Sequence, residues 1–184
     1  MPRLQALDPK QTSGETKALL DGVQAKVGMT PKLIRTLANG PAALKAYLDF
    51  SNAMSTSSLP ARLREQIALT IAQTNGCQYC LAAHTAIGKM VGLSKEEALD
   101  SRQAISSDSK TQVALRFVRH VVEQRGWIED DALATLRHAG YGDNQITDLV
   151  ALVALNTFTN YFNHVADTEV DFPPAQPLDL ETAA

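Results

Sequence analysis

Four side chains of this 184-residue chain combine reactivity with a telling spacing: Glu65, Cys77, Cys80 and His84. The two cysteines are the full cysteine content of the sequence, and His84 is one of four histidines. Helix-forming residues lead up to an Asn75-Gly76 stop signal. Cys-Gln-Tyr-Cys follows at once and opens a second helical run through Leu81, Ala82, Ala83, Ile87 and Met90. On that helix Cys77, Cys80 and His84 fall at i, i+3 and i+7, one stripe on one face. A free thiol with a pKa near 8.5 is only about 3% thiolate at neutral pH. Unpaired backbone N–H groups and the dipole at a helix start favour the anion. A histidine one turn further on takes the proton or, once charged, stabilises the thiolate. His84 is i+4 from Cys80 but i+7 from Cys77. Spacing therefore makes Cys80 the better candidate nucleophile and Cys77 the partner that closes a disulfide, the reverse of the usual order in thioredoxin-type pairs.

Glu65 precedes Gly76 by eleven residues, roughly 16 Å of helix, and His84 follows it by eight, about 12 Å. Two helices folded back at this elbow bring Glu65 level with His84 rather than with the cysteines. This arrangement fits a relay Glu65, His84, Cys80, direct or through a water, and it does not support a direct contact from Glu65 to Cys77 without a bent helix or a neighbouring subunit. Around this hairpin the chain reads as more helices. One is capped by Thr12 or Ser13 and stopped by Gly28; two more run near 31–39 and 41–55, separated by Asn39-Gly40. Ser58 and Pro60 start the helix that carries Glu65. Ser94 and Glu97 form a capping box, and Asp108 caps a strongly amphipathic helix with Val113, Ala114, Phe117, Val118, Val121 and Val122 on its core stripe. A short helix near 129–139 and a long, broadly apolar one opening at Asp143 complete the set; the last is expected at the centre or at a subunit contact. No period-2 strand pattern and no repeat is present. The expectation is an all-α fold of eight or nine helices in a single domain spanning 1–184, with an extended lead-in over 1–11 and a core over about 12–170. A proline-rich tail over 171–184 is expected to be a loose end or an arm on a neighbour.

Composition narrows the classes. A chain of this length buries roughly 70% of its unfolded surface without staples. The net charge of −3 gives no electrostatic case for nucleic acid or an anionic membrane. No signal core or membrane-length apolar run is present, so the expectation is a soluble cytoplasmic protein. Two cysteines three apart make no disulfide framework; in a cytosolic chain they read as redox or metal chemistry. No Gly-rich phosphate loop implies an organic cofactor.

The run of Glu65, eleven residues, Cys77, two residues, Cys80, three residues and His84 resembles the signature of the alkylhydroperoxidase D-like proteins of the carboxymuconolactone decarboxylase family. The resemblance extends from about Leu4 to Phe172 and includes the Asn-Tyr-Phe-Asn-His-Val end of the last long helix. It implies an AhpD-like helical fold and a thiol-dependent hydroperoxide reductase, an antioxidant enzyme with no cofactor. Cys80 would be peroxidatic, Cys77 resolving, and Glu65 with His84 the proton relay. It also implies an external dithiol reductant, a lipoyl group on a partner protein, and assembly as a homo-oligomer, a trimer or a trimer-of-dimers hexamer. One departure stands out: well-known members place His directly before the second cysteine, where this chain has Tyr79, a poor base at neutral pH with a pKa near 10.

Other readings compete. The cysteines alone fit two buried structural thiols. Cys77, Cys80 and His84, with Glu65 as a fourth, also have the makings of a metal site, but structural zinc usually brings a second pair of ligands and no further cysteine exists. A c-type haem motif needs His where Leu81 stands. The same pair would serve a non-catalytic disulfide carrier or redox sensor. A carboxymuconolactone decarboxylase-type enzyme is the remaining alternative, and it has no required use for the thiols. The alternative for Glu65 is a solvated helix face, paired with Arg62 or Arg64. His120, His138 and His164 read as surface or satisfied groups, and His164 is the least bland of them because it sits beside Asn160 and Asn163. Trp127 reads as a core filler.

Overall fold

A computed structural model describes residues 1–178 of the chain. Among these residues there are nine α-helices and no strand: α1 Gly14–Val27, α2 Lys32–Leu37, α3 Pro41–Ser55, α4 Ala61–Thr74, α5 Gln78–Met90, α6 Lys95–Arg102, α7 Ser109–Glu123, α8 Asp130–His138 and α9 Asp143–Ala166. The expected all-α single-domain fold is therefore present, and the caps lie where the residue types put them. Gly28 closes α1 at φ 81, and Ser94 with Glu97 forms the capping box of α6. The Asp108 carboxylate accepts from the Thr111 N–H at the start of α7. The lead-in is extended apart from a short 3₁₀ turn at Pro9–Gln11.

The centre of the molecule is α4, which packs against α5, α6, α7 and α9. Ile67, Leu69, Ile71 and Ala72 are fully enclosed on different sides of it, as expected of a helix with no wet face. Each of the Ile and Leu side chains contributes about 1.5–3 kcal/mol of transfer free energy. Its buried Thr70 donates to the Ser101 carbonyl at 2.6 Å, so the polar residue in this apolar setting is satisfied. The core forms two clusters. One joins α4 with α7, α8 and α9; the other joins α1, α2 and α5 and contains both cysteines.

Two expectations change. From Asp171 to residue 178 the tail is non-helical, but it lies against its own chain. Asp171 accepts hydrogen bonds from the Tyr79 hydroxyl and the Lys32 N–H, Phe172 packs edge-on against Tyr79, and the Gln176 carbonyl accepts from Arg102. The rest of the expected tail, 179–184, lies outside the described residues. Trp127 does not fill the core: it is 86% exposed, because Gly126, at φ 87, turns the chain outward at the end of α7.

Candidate active site

The elbow between α4 and α5 builds the thiol pair. Gly76 takes φ 71, and the Cys77 N–H reaches back to the Ala72 carbonyl at 2.8 Å, the closing bond of a Schellman motif. The same Cys77 is the N-cap of α5, where its Sγ accepts from the Cys80 N–H at 3.4 Å. One residue thus ends the first helix and starts the second. The turn between them positions the two sulfurs 2.8 Å apart, unbonded, in residues only 1% and 2% exposed.

Asparagines of α9 complete this pocket. Asn163 Nδ2 lies 3.3 Å from Cys80 Sγ and 3.9 Å from Cys77 Sγ. Asn160 Oδ1 accepts from Asn75 Nδ2 at 2.9 Å, tying α9 to the elbow. Among the described residues, Asn163 Oδ1 and Asn160 Nδ2 are buried without a hydrogen-bond partner. Asn156, Thr159, Asn160 and Asn163 form a buried polar stripe at i, i+3, i+4 and i+7 on an otherwise apolar helix. That period-3.6 run of small polar residues was the available signal for these residues. In the sequence these asparagines stand out only as neighbours of His164, whose side chain is exposed.

The two sulfurs do not ionise alike. The hydrogen bond from Cys80, helped by the Cys80 N–H, Asn163 and the charge of His84, lowers the Cys77 thiol to about 7 against the cost of its burial. Cys80, acting as donor to Cys77 and itself buried, is pushed up. In the reduced pair Cys77 is therefore the more acidic thiol.

Glu65 and His84 meet as the helix arithmetic expects. Glu65 Oε2 lies 2.7 Å from His84 Nδ1, with their side chains 17% and 22% exposed. Burial opposes a charge on the ring, but the Glu65 carboxylate outweighs it and holds the His84 pKa above its usual value. Arg62 and Arg64 do not compete for Glu65: Arg62 pairs with Glu97, and Arg64 donates to the Leu59 carbonyl. Among the described residues His84 makes no hydrogen bond to either sulfur, so it acts on Cys77 through its charge. Glu65 and His84 line a cavity of about 170 Å³ together with Tyr47, Ser51, Arg64 and Asn156; neither cysteine lines it. Burial pushes the Tyr47 hydroxyl up to about 12, which keeps it a donor.

Tyr79 points away from this chemistry. Its hydroxyl accepts from the Leu33 N–H at 3.1 Å and donates to Asp171 at 2.8 Å, and burial raises its pKa. The residue between the cysteines anchors α2 and the tail. No group of three or more His, Cys, Asp or Glu side chains placed to hold a metal occurs among the described residues.

Nine helices among the described residues, with paired cysteines at a helical elbow, form an AhpD-like all-α fold. Residues 41–124, which run from α3 through α7 and contain all four site residues, match the carboxymuconolactone decarboxylase family. The match covers the middle of the chain, and the helices around it share the fold of AhpD-like proteins. A peroxidase-related protein with an alkylhydroperoxidase AhpD core from Ralstonia eutropha JMP134 is 20% identical, covering 92% of each chain, with a TM-score of 0.83. A peroxidase-related protein from Silicibacter sp. TM1040 is 24% identical over 92% of this chain and 91% of that one, with a TM-score of 0.79. The debrominase Bmp8, in complex with 2,3,4-tribromopyrrole, is 16% identical over 91% of both chains, with a TM-score of 0.77. Comparison with curated proteins gives no match.

Proposed function

We propose that the protein reduces hydroperoxides through the Cys77–Cys80 dithiol. The observation that carries this reading is the pair itself: two free sulfurs 2.8 Å apart, one of them with its pKa lowered to about 7, beside a Glu65–His84 ion pair. The resting Cys77 thiolate takes the proton of Cys80 along their hydrogen bond. The Cys80 thiolate, stabilised by Asn163 Nδ2, attacks the distal oxygen and the O–O bond breaks. Cys80 becomes a sulfenic acid, and the leaving alkoxide takes a proton from His84, which Glu65 had kept charged. Cys77 then condenses with the sulfenic acid, releasing water and forming the disulfide. An external dithiol restores the pair by exchange; a lipoyl group on a partner protein is the proposed donor. Assembly as a homo-oligomer is part of the proposal, supported by the exposed Val150, Phe158, Tyr161 and Val165 of α9.

The test is peroxide consumption with reduced lipoamide, together with trapping of the sulfenic acid in single-cysteine variants. Cys77→Ser should accumulate a trapped sulfenate at Cys80 and lose turnover, and Cys80→Ser should lose both. Faster trapping in Cys80→Ser would transfer the attacking role to Cys77, and full activity in both variants would refute thiol catalysis. The burial of both sulfurs supports a second reading, a disulfide carrier or redox sensor. It prevails if the disulfide forms reversibly while peroxide is not consumed. Because a debrominase shares the fold, a bromopyrrole belongs in the substrate panel. The decarboxylation in the family's name makes no use of the paired sulfurs and is not the reading proposed.

A further inference from the structure

A second cavity, of about 480 Å³, lies among α5, α6 and the tail and shares no lining residue with the one at Glu65 and His84. Its walls include Lys89, Leu93, Lys95, Leu99, Arg102 and Pro174, and none of its lining residues is acidic. Arg102 is only 7% exposed. Its Nε donates to Gln73 Oε1 at 2.9 Å and its Nη1 to the Gln176 carbonyl at 2.5 Å, both neutral acceptors. Among the described residues, none of Lys89, Lys95 and Arg102 forms an ion pair with a carboxylate. A desolvated guanidinium facing a cavity with no counter-ion among the described residues is costly, and its planar fork suits a carboxylate. The remaining lining is greasy: Leu93 and Ala98 are buried, and Leu99 and Pro174 extend the surface. Concave sites of several hundred Å³ with apolar walls and a few convergent polar groups are the usual form of small-molecule sites.

We propose that this cavity binds an amphipathic organic acid of medium chain length, with its carboxylate on Arg102 and its hydrocarbon chain against Leu93, Leu99 and Pro174. Lys89 and Lys95 at the rim add attraction for the anion. The site stands independently of the thiol chemistry, and its test reads binding alone.

The test is calorimetric titration of the reduced full-length protein with octanoate, with octanamide as the neutral control. Octanoate should bind saturably, more weakly as salt rises, and octanamide about tenfold less tightly or worse. Arg102→Gln should weaken octanoate by about tenfold or more, the expected loss of a charge-assisted pair. Because Arg102 also holds the tail, Leu99→Trp gives a second arm: it fills the cavity while keeping every cation, and it too should abolish binding with the thermal unfolding curve preserved. The proposal falls if wild type shows no saturable binding of octanoate, if octanamide binds equally well, or if Leu99→Trp binds octanoate as wild type does.

Discussion

Cys77 accepts from the neighbouring thiol and from the Cys80 N–H at a helix start, and Asn163 Nδ2 serves both sulfurs, 3.9 Å from Cys77 and 3.3 Å from Cys80. Removing one charge-assisted donor costs about 1.5 kcal/mol, so Asn163→Ala should raise the thiolate titration midpoint from about 7 by about one pH unit, read from thiolate ultraviolet absorbance. An unchanged midpoint would take Asn163 out of the site. His84 gives a pH signature of its own. Its folded pKa lies above the unfolded value of about 6.5, so the Glu65–His84 pair adds stability that is fully present below that value and lost as pH rises through the raised one. Denaturant melts of wild type and His84→Gln should therefore differ most below the unfolded histidine value and converge as the solution turns alkaline. A gap that widened with pH would mean that His84 is held neutral.

Elements matter here through the sharp turn between α4 and α5. Gly76 has open space around a notional Cβ, but its φ of 71 is one that L-residues avoid. Gly76→Ala should cost about 1 kcal/mol from backbone strain alone. Gly22, exposed within α1 and also without a close neighbour, offers the opposite sign: Gly22→Ala should stabilise by about 0.5–1 kcal/mol through helix propensity. Equal effects from the two substitutions in thermal melts would show that the turn stores no strain. The polar stripe of α9 works at the same level: a long helix dry enough to sit inside the fold brings Asn160 and Asn163 to the elbow and Asn156 and Thr159 to the cavity at Glu65 and His84, because they recur with the helical period.

Across the whole molecule, both ends of the described chain are tied to the helical body. The Arg3 and Leu4 N–H groups share the Ala166 carbonyl, and Leu7 and Arg35 exchange hydrogen bonds. At the other end Tyr79 joins the segment between the cysteines to the tail through Asp171. Tyr79→Phe deletes that bond and leaves the Leu33 N–H without its acceptor. It should cost about 1–3 kcal/mol and expose the chain after Asp171 to protease, while the Cys77 midpoint stays near 7. A shifted midpoint with an unchanged cleavage pattern would show that Tyr79 acts on the sulfurs rather than on the tail. No helix among the described residues is long and apolar enough to cross a membrane.

Local chemistry decided much of this molecule before folding. Asn75-Gly76 can only stop a helix, Ser94 with Glu97 can only begin one, and a rise of about 1.5 Å per residue brings Glu65 level with His84 once the hairpin closes. Such facts depend on neighbours in sequence, so they are legible there. The phase of α9 against α5 is not, because the rotation of one helix about another is set by the fit of all their side chains together. That fit chose Asn163 over His164 as the group at the sulfurs, turned Tyr79 toward the tail, and gave the lowered pKa to Cys77 although spacing alone pointed to Cys80. Ionisation follows the donors and charges that surround a group in space, and for two sulfurs this close only the tertiary structure determines which of them holds the proton.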